Sequence, residues 1–363
     1  FDDEVYGGTI GGPIIKDKLF FFLSYEKLER EAPQDVGATG SGFPVEVPDV
    51  TQEEYDDIRQ IGLDVYGYDI GQTLASAPEE DEKILAKLDW NITDTQRASL
   101  AYQRTEGNEL VVNTTNNNPS LSRLGAPSNW YDREILMETA SFQLFSDWNE
   151  YFSTEFKFGR KEVELAQVSL SGTDFGEMQI RTPSGGTVYI GSDEFRHANE
   201  LTNDVDAIKL KGNFFLGDHT LTVGYEREML DFFNVFVPRS QGLWVFAPTL
   251  DVNGAVTATG TDNFAAQAAT SLSYQNAFTN DAADGAATFG YDVDSLYVQD
   301  EWQATADLMI QAGVRFDIFS SSDQPLLNEN FSGRYGFNNQ STLDGRDLIM
   351  PRIGFNWQWR PET

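Results

Sequence analysis

Apolar and polar side chains alternate with a two-residue period in run after run of this chain, and each such run reads as a β-strand with two unlike faces. Over 83–92 one face carries Ile84, Ala86, Leu88, Trp90 and Ile92, and the other carries Lys83, Leu85, Lys87, Asp89 and Asn91. Over 308–318 the faces are Leu308, Ile310, Ala312, Val314, Phe316 and Ile318 against Met309, Gln311, Gly313, Arg315 and Asp317. Over 352–359 they are Ile353, Phe355, Trp357 and Trp359 against Arg352, Gly354, Asn356 and Gln358. Less regular runs over 96–105, 134–146, 151–164, 206–216, 220–233 and 291–302 fit the same template.

The opening stretch sets the rhythm. An extended run from Thr9 to Ile15 meets Lys16, Asp17 and Lys18, and a second run follows from Leu19 to Glu26, which predicts a hairpin with a tight turn. Leu19 to Leu23 is apolar on both faces, so neither side is wetted just after the turn. A sandwich core or the aromatic rim of a membrane barrel provides such a setting. With the two runs of this hairpin the count reaches about eleven strands.

The connections fall into two kinds that alternate. Tight ones are expected at 16–18, 93–95, 147–149, 217–219 and 303–307, and long polar ones at 29–82, 107–133, 166–202, 234–290 and 320–349. A sandwich has no reason to sort them so; an outer-membrane barrel has short periplasmic turns and long extracellular loops. Trp90, Trp148, Trp302, Trp357 and Trp359 all lie near a short turn or where the next is due, while Trp130 and Trp244 lie toward the long loops. Aromatics gathered at one level make an interfacial girdle, to which Phe21, Trp90, Trp302, Trp357 and Trp359 are assigned. Strand by strand, an antiparallel sheet with one wet face is the better explanation of the alternation; the tryptophan placement favours the barrel.

Composition narrows this reading. At 363 residues the chain can hold one large β domain, and with no cysteine it has neither a disulfide framework nor a thiolate metal site. No apolar run approaches the ~20 residues of a spanning helix, whereas barrel strands need only ~9–11 alternating residues. A net charge of −33 argues against nucleic acid, whose binding rests on Lys and Arg. At a Gram-negative outer leaflet such acidity implies divalent cations bridging it to other anions. The chain begins at Phe1 without a basic or apolar leader, so any export signal is expected outside it. An odd strand count and an end at Arg360–Thr363, where a turn is due, lead one to expect a piece of a larger barrel, since bacterial barrels close with even numbers.

The stretch GGTIGGPIIKDKLFFFLSYE (7–26) resembles the early barrel hairpin of TonB-dependent outer-membrane receptors, in particular the Oar-like group. LYVQDEWQATADLMIQAGVRFD (296–317) and, more weakly, PRIGFNW (351–357) resemble the same family. The resemblance implies an antiparallel transmembrane β-barrel of twenty-two strands of which 1–363 supplies about half, the plug domain and TonB box lying elsewhere. It also implies active uptake of a scarce or bulky ligand (peptide or protein, siderophore, or oligosaccharide), with outer-membrane lipid and lipopolysaccharide, the plug and the TonB complex as partners. No cofactor and no enzymatic activity are implied.

Candidate chemistry is sparse. His219 sits in a turn, where polar residues are unremarkable, and His197 has no second histidine near it for a metal. No nucleophile has a base and an orienting partner at recognisable spacing. Carboxylate clusters at 53–57, 79–82 and 281–294 lack EF-hand spacing and read as solvated surface. Lys83, Lys87, Asp89, Lys209, Lys211, Glu226, Arg315, Asp317 and Arg352 are expected to face a lumen and line a plug, because a charge on the lipid face at mid-membrane costs on the order of 2–4 kcal/mol. Tyr55, Tyr66, Tyr68, Trp130, Trp244 and Phe246 in the long loops are the expected ligand contacts. Two rivals stand beside this reading: a passive or adhesive barrel that displays its loops, and a secreted all-β binding module, which leaves Ile84, Leu88, Ile310 and Val314 untouched by a lipid-phase probe.

Overall fold

A computed structural model describes residues 3–359. Eleven long strands form one antiparallel sheet: β1 (Asp3–Ile15), β2 (Leu19–Pro33), β3 (Ser76–Thr93), β4 (Gln96–Val111), β5 (Tyr131–Asn149), β6 (Phe152–Ser169), β7 (Asn199–Leu216), β8 (His219–Phe236), β9 (Ala287–Thr305), β10 (Leu308–Ser320) and β11 (Asp347–Trp357). They are hydrogen-bonded in chain order, so every tight turn lies at one end of the sheet and every long connection at the other. The sheet is not closed, and β1 and β11 are its two edges. β2 and β3 run further into the first long connection than their apolar pattern does: charged partners such as Arg30 and Glu79 continue the ladder to Pro33 and Ser76.

Register shows why the sheet has two unlike faces, because directly paired residues point the same way. Starting at Ile15, one row runs through Leu19, Trp90, Ala98, Leu144 and Phe156, then Leu210, Tyr225, Leu296, Phe316 and Ile349, crossing all eleven strands without a charge. The neighbouring row on the opposite face runs from Pro13 and Phe20 through Asp89, Ser99, Gln143, Lys157, Lys209, Glu226, Ser295 and Asp317 to Leu348. Adjacent positions on the same strands are thus sorted into an oily side and a polar side. Many of the oily residues stay open to solvent, among them Leu100, Leu210, Leu296 and Ile353, so the sheet buries them against nothing of its own.

Leu144 and Gln143 test that assignment side by side. Leu144→Arg is expected to lower folding stability in lipid vesicles by about 2–4 kcal/mol, and Gln143→Arg by under ~1 kcal/mol. Equal costs, measured by urea titration, would contradict the two-faced assignment.

Charges do occur on the oily face: Asp300 lies there near the tight turns, opposite Leu221 and Ala312, and the others cluster toward the long-connection end. Arg160 pairs there with Glu162 at 2.6 Å, Asp206 at 3.1 Å and Asp204 at 3.4 Å, and Arg227 pairs with Asp292 and Asp294. β5 has 19 residues, which at ~3.3 Å per residue and a ~40° tilt rise well above an apolar band ~25 Å tall. The strands therefore outrun the band, and these ion pairs sit on the projecting part.

The long connections are not solvated excursions. Those over 34–75, 112–130, 170–198 and 237–286 merge into a compact domain of their own. Its five-stranded sheet has the order 271–273, 243–246, 177–181, 187–190, 123–125 and draws on three connections. The first connection adds a parallel pair, 36–39 with 45–51, and helix α1 (Gln52–Ile61), which Thr51 and Glu54 cap reciprocally. Helix α2 (Gly260–Ala265) comes from the fourth. Val47, Val50, Ile58, Ile70, Leu124, Ile180, Val188, Ile190 and Phe264 form the dry core between them. Gly186 shows how close the connections come: its N–H donates to the Asp49 carbonyl at 2.8 Å, and a Cβ there would collide with that oxygen. The fifth connection, 321–346, carries the short helix α3 (Glu329–Tyr335).

Candidate functional site

Two constructions carry the chemistry: an ionic network on the polar face and the loop domain at the end of the strands. All nine charged residues expected to line a lumen lie on the one polar face. Lys209, Glu226 and Asp317 belong to the row given above, Asp89 heads the same row on β3, and Lys83, Lys87, Lys211, Arg315 and Arg352 stand an even number of positions from members of it.

Five of them are linked across β6 to β10. Lys211 Nζ reaches Glu155 at 2.8 Å, and Lys209 Nζ lies 3.7 Å from Glu155 and 4.0 Å from Glu226. Arg315 donates to Glu226 at 2.7 Å, to Asp317 at 2.8 Å and to Ser295 Oγ at 2.6 Å. The Tyr297 ring covers Gly224, where any side chain would strike it, and Arg315 stands 5.9 Å from the ring centroid. Lys83 pairs with Asp81 and Glu26, and Lys87 with Asp89, on β2 and β3. Arg352 lies opposite Gly313. Glu155, Ser295 and Tyr297 were not expected from sequence; the signal was Tyr297 alternating with Leu296 and Val298, in a run whose remaining positions are mixed.

The aromatic girdle also falls on one face. Phe21 pairs with Leu88, Trp90 with Leu19 and Ala98, Trp302 with Ile310, and Trp357 with Leu308, all on the oily side near the tight turns. Trp359 follows β11 and packs edge-on against Trp357 at 4.7 Å. His219 is more than a turn residue: its ring stacks on Trp302 at 5.5 Å and its Nδ1 lies 2.7 Å from Asp300 Oδ2.

In the loop domain the expected ligand-contact aromatics separate. Tyr55, Trp130 and Phe246 are packed inside it, correcting the expectation that they face outward. Tyr55 donates to the Gly71 carbonyl at 2.9 Å, and Trp130, 1% exposed, donates from Nε1 to the Gly125 carbonyl at 3.0 Å. Phe246 meets Phe264 edge-on, and Tyr66 stacks on the same Phe264 at 4.6 Å while its hydroxyl donates to the Phe264 carbonyl. Tyr68 rests against Phe175 at 4.4 Å. Their rings hold separate connections together because an aromatic side chain is the largest apolar area a polar loop can supply. Trp244 alone of the six is an exposed residue, at 37%.

Where the second, third and fourth connections meet, a polar cluster is buried. Glu177, 2% exposed, accepts from Gln179 Nε2 at 2.7 Å and from the Glu194 N–H at 3.0 Å. Burial, only partly offset by these donors, pushes its carboxyl up to about 7. Asp193 beside it accepts from Asn113 and is likewise raised by burial. His197 sits between the Ser192 carbonyl and the Gln241 N–H, and burial lowers its basicity. Among the described residues no group of His and carboxylates has the geometry to hold a metal ion.

A sheet with one continuous oily face, tight turns at one end and a domain built of long connections at the other defines an outer-membrane β-barrel protein. Residues 1–42 and 68–363 match the family described as outer membrane beta barrel domain, and the chain belongs to that family. It is a protein of the bacterial outer membrane. No curated protein matches it in sequence. Among solved structures it is similar to the outer membrane transporter YddB from Escherichia coli, with 11% identity and a TM-score of 0.55 over 98% of this chain and 36% of that one. It is similar to the FrpB iron transporter from Neisseria meningitidis, with 12% identity and a TM-score of 0.54 over 99% and 43%. It is also similar to a variant of the ferric enterobactin receptor from Pseudomonas aeruginosa, with 12% identity and a TM-score of 0.51 over 99% and 39%. The chain spans less than half the length of these structures, and at such identity the likeness is one of fold.

Proposed function

We propose that this chain is the barrel part, about half of twenty-two strands, of a TonB-dependent receptor of the Oar-like group that takes up a scarce or bulky ligand across the outer membrane. The observation that carries the reading is the ionic network on the polar face, from Glu155 through Lys209, Lys211 and Glu226 to Arg315 and Asp317. An empty pore has no need of a cross-strand lattice of paired charges, whereas a plug seated in the lumen needs fixed polar partners. The named transporters of like fold support it, as do the sequence stretches that resemble the receptor family. On this reading the oily face meets lipid, its projecting ion pairs stand at the level of lipopolysaccharide headgroups, and the loop domain is extracellular and meets the ligand.

The test is genetic. Strains lacking the receptor and strains lacking TonB are expected to leave the same compounds unconsumed in the medium, read by mass spectrometry of spent culture. Uptake that survives loss of TonB would favour the passive, loop-displaying barrel instead. A second expectation follows from the network. Arg315→Ala leaves Glu226 and Asp317 without their guanidinium partner, so the plug is held less firmly and cells become more sensitive to large antibiotics that the outer membrane excludes. Unchanged sensitivity would remove Arg315 from plug contact.

A further inference from the structure

The five-stranded sheet of the loop domain is unfinished on one side. Its last strand, Ser271–Ser273, pairs with Leu243–Val245 and has no strand beyond it among the described residues. The face that Met178, Ile180 and Phe246 present to the core continues outward through Trp244 to Leu272, since Met178 pairs with Trp244 and Trp244 with Leu272. Along that row cover falls away: Met178 is buried, Trp244 is 37% exposed and Leu272 is 49% exposed. Trp244 is held in place from behind, its indole nitrogen lying against Gly242 with Leu272 beside it. A core face that runs into solvent at an unpaired edge is a template for one more strand.

The charge around the edge says what kind of strand. The four connections of the loop domain carry no lysine and five arginines against seventeen carboxylates. Three of those arginines are already paired, Arg59 with Asp69, Arg196 with Asp193 and Arg239 with Glu194. The connection that owns the edge carries Asp251, Asp262, Asp281 and Asp284 and, as its one basic residue, Arg239. An anionic ligand would meet repulsion from this surface at every approach, and a cationic one is drawn to it.

We propose that the loop domain binds an extended, lysine- or arginine-rich peptide segment by strand addition to Ser271–Ser273, with an apolar side chain of the peptide seated beside Leu272 and Trp244. The proposal rests on the receptor reading for the fate of the ligand and names its class. Backbone pairing supplies the grip, the Trp244–Leu272 surface selects an apolar residue at alternate positions, and the carboxylates select the flanking charges.

The test uses the full-length receptor in nanodiscs and a fluorescent octapeptide of alternating Lys and Val, read by anisotropy. Binding that weakens with added salt is expected. The same peptide N-methylated at alternate backbone nitrogens keeps its charge and loses its donors, and is expected to bind about tenfold more weakly or worse. A Glu–Val peptide is expected not to bind. Trp244→Ala and Leu272→Pro should each weaken the Lys–Val peptide about tenfold, while the N-methylated control stays unchanged on both variants. Equal binding of the methylated and unmethylated peptides would reduce the effect to bulk electrostatics and overturn the strand-addition site. Concentration-dependent self-association of the receptor that Leu272→Pro abolishes, without peptide binding, would overturn it in favour of a second copy at the edge. The outcomes separate from those of the uptake reading: loss of TonB dependence leaves peptide binding in place, and failure of peptide binding leaves TonB-dependent uptake untouched.

Discussion

Replacing Phe264 with alanine is expected to loosen two long connections at once. Phe264 is fully buried on α2, in the connection 237–286, and the ring it stacks against, Tyr66, belongs to the connection 34–75. Phe246 meets it edge-on at 5.2 Å from the sheet strand 243–246. Truncating such a ring removes its buried surface and leaves a cavity between elements that touch through it, a loss of about 3–5 kcal/mol. Because the loop domain is assembled from four separate connections, that loss falls on the joint and not on the barrel. Limited proteolysis of the folded protein should then show faster cleavage within both 34–75 and 237–286, while β1 to β11 keep their resistance to unfolding in detergent. Leu326→Ala, at an exposed position of the fifth connection, serves as the control and should change neither. If Phe264→Ala leaves cleavage of 34–75 at its original rate, the connections do not share one core.

The same feature explains how far the sequence could be read. Barrel strands are long, they pair with their chain neighbours, and each meets a lipid side and a polar side. A two-residue period over ten or more positions therefore marks them, and Lys209, Glu226, Arg315 and Asp317 could be assigned to a common face before any register was known. The loop domain offers no such signal. Its strands span two to seven residues, as in Thr249–Leu250, Arg123–Gly125, Glu177–Arg181 and Val45–Thr51, and the pairings that join connections, 123–125 with 187–189 and 177–180 with 243–246, link positions more than fifty apart. Alternation over Glu177–Arg181 is too short to separate from chance, and the polar residues around it read as open loop. Tyr55, Trp130 and Phe246 consequently read in the sequence as ligand contacts, since a lone aromatic in a polar stretch has the same appearance whether it anchors a core or waits for a partner. Only packing distinguishes the two, and packing here is non-local. The charges on the projecting ends of β4 to β9, such as Arg104, Arg160 and Arg227, escaped for a different reason: a face rule derived for the membrane interior stops applying where the strand leaves it.

Glu177 is expected to make the closure of this domain depend on pH. Its carboxyl lies where three connections meet, and burial raises it to about 7 in the folded state against an ordinary value of 4.5. A raised carboxyl means that the folded state holds a proton which the open state releases. The stabilising contribution of the neutral group is therefore complete below about pH 4.5, declines as pH rises toward about 7, and is absent above that. The interval corresponds to about 3 kcal/mol, or a population change on the order of a hundredfold. Asp193, also raised, adds a slope of the same sign, while His197, lowered by burial, opposes them because protonating it at acid pH favours opening. Glu177→Gln separates the terms. It keeps an oxygen to accept from the Glu194 N–H and removes the charge, so the variant should stay closed at pH 8 and lose most of the wild-type slope between pH 5 and 8. Hydrogen exchange of the amides at 177–181 and 187–190, corrected for intrinsic exchange at each pH, reads the closure directly. Parallel slopes in the two proteins would mean that Glu177 is ionised in the closed domain, held so by Gln179 and the Glu194 amide. A domain that tightens in acid and relaxes near neutrality changes access to its own unfinished edge, because Glu177 begins the strand that pairs with Leu243–Phe246, and Leu243–Val245 pairs in turn with Ser271–Ser273.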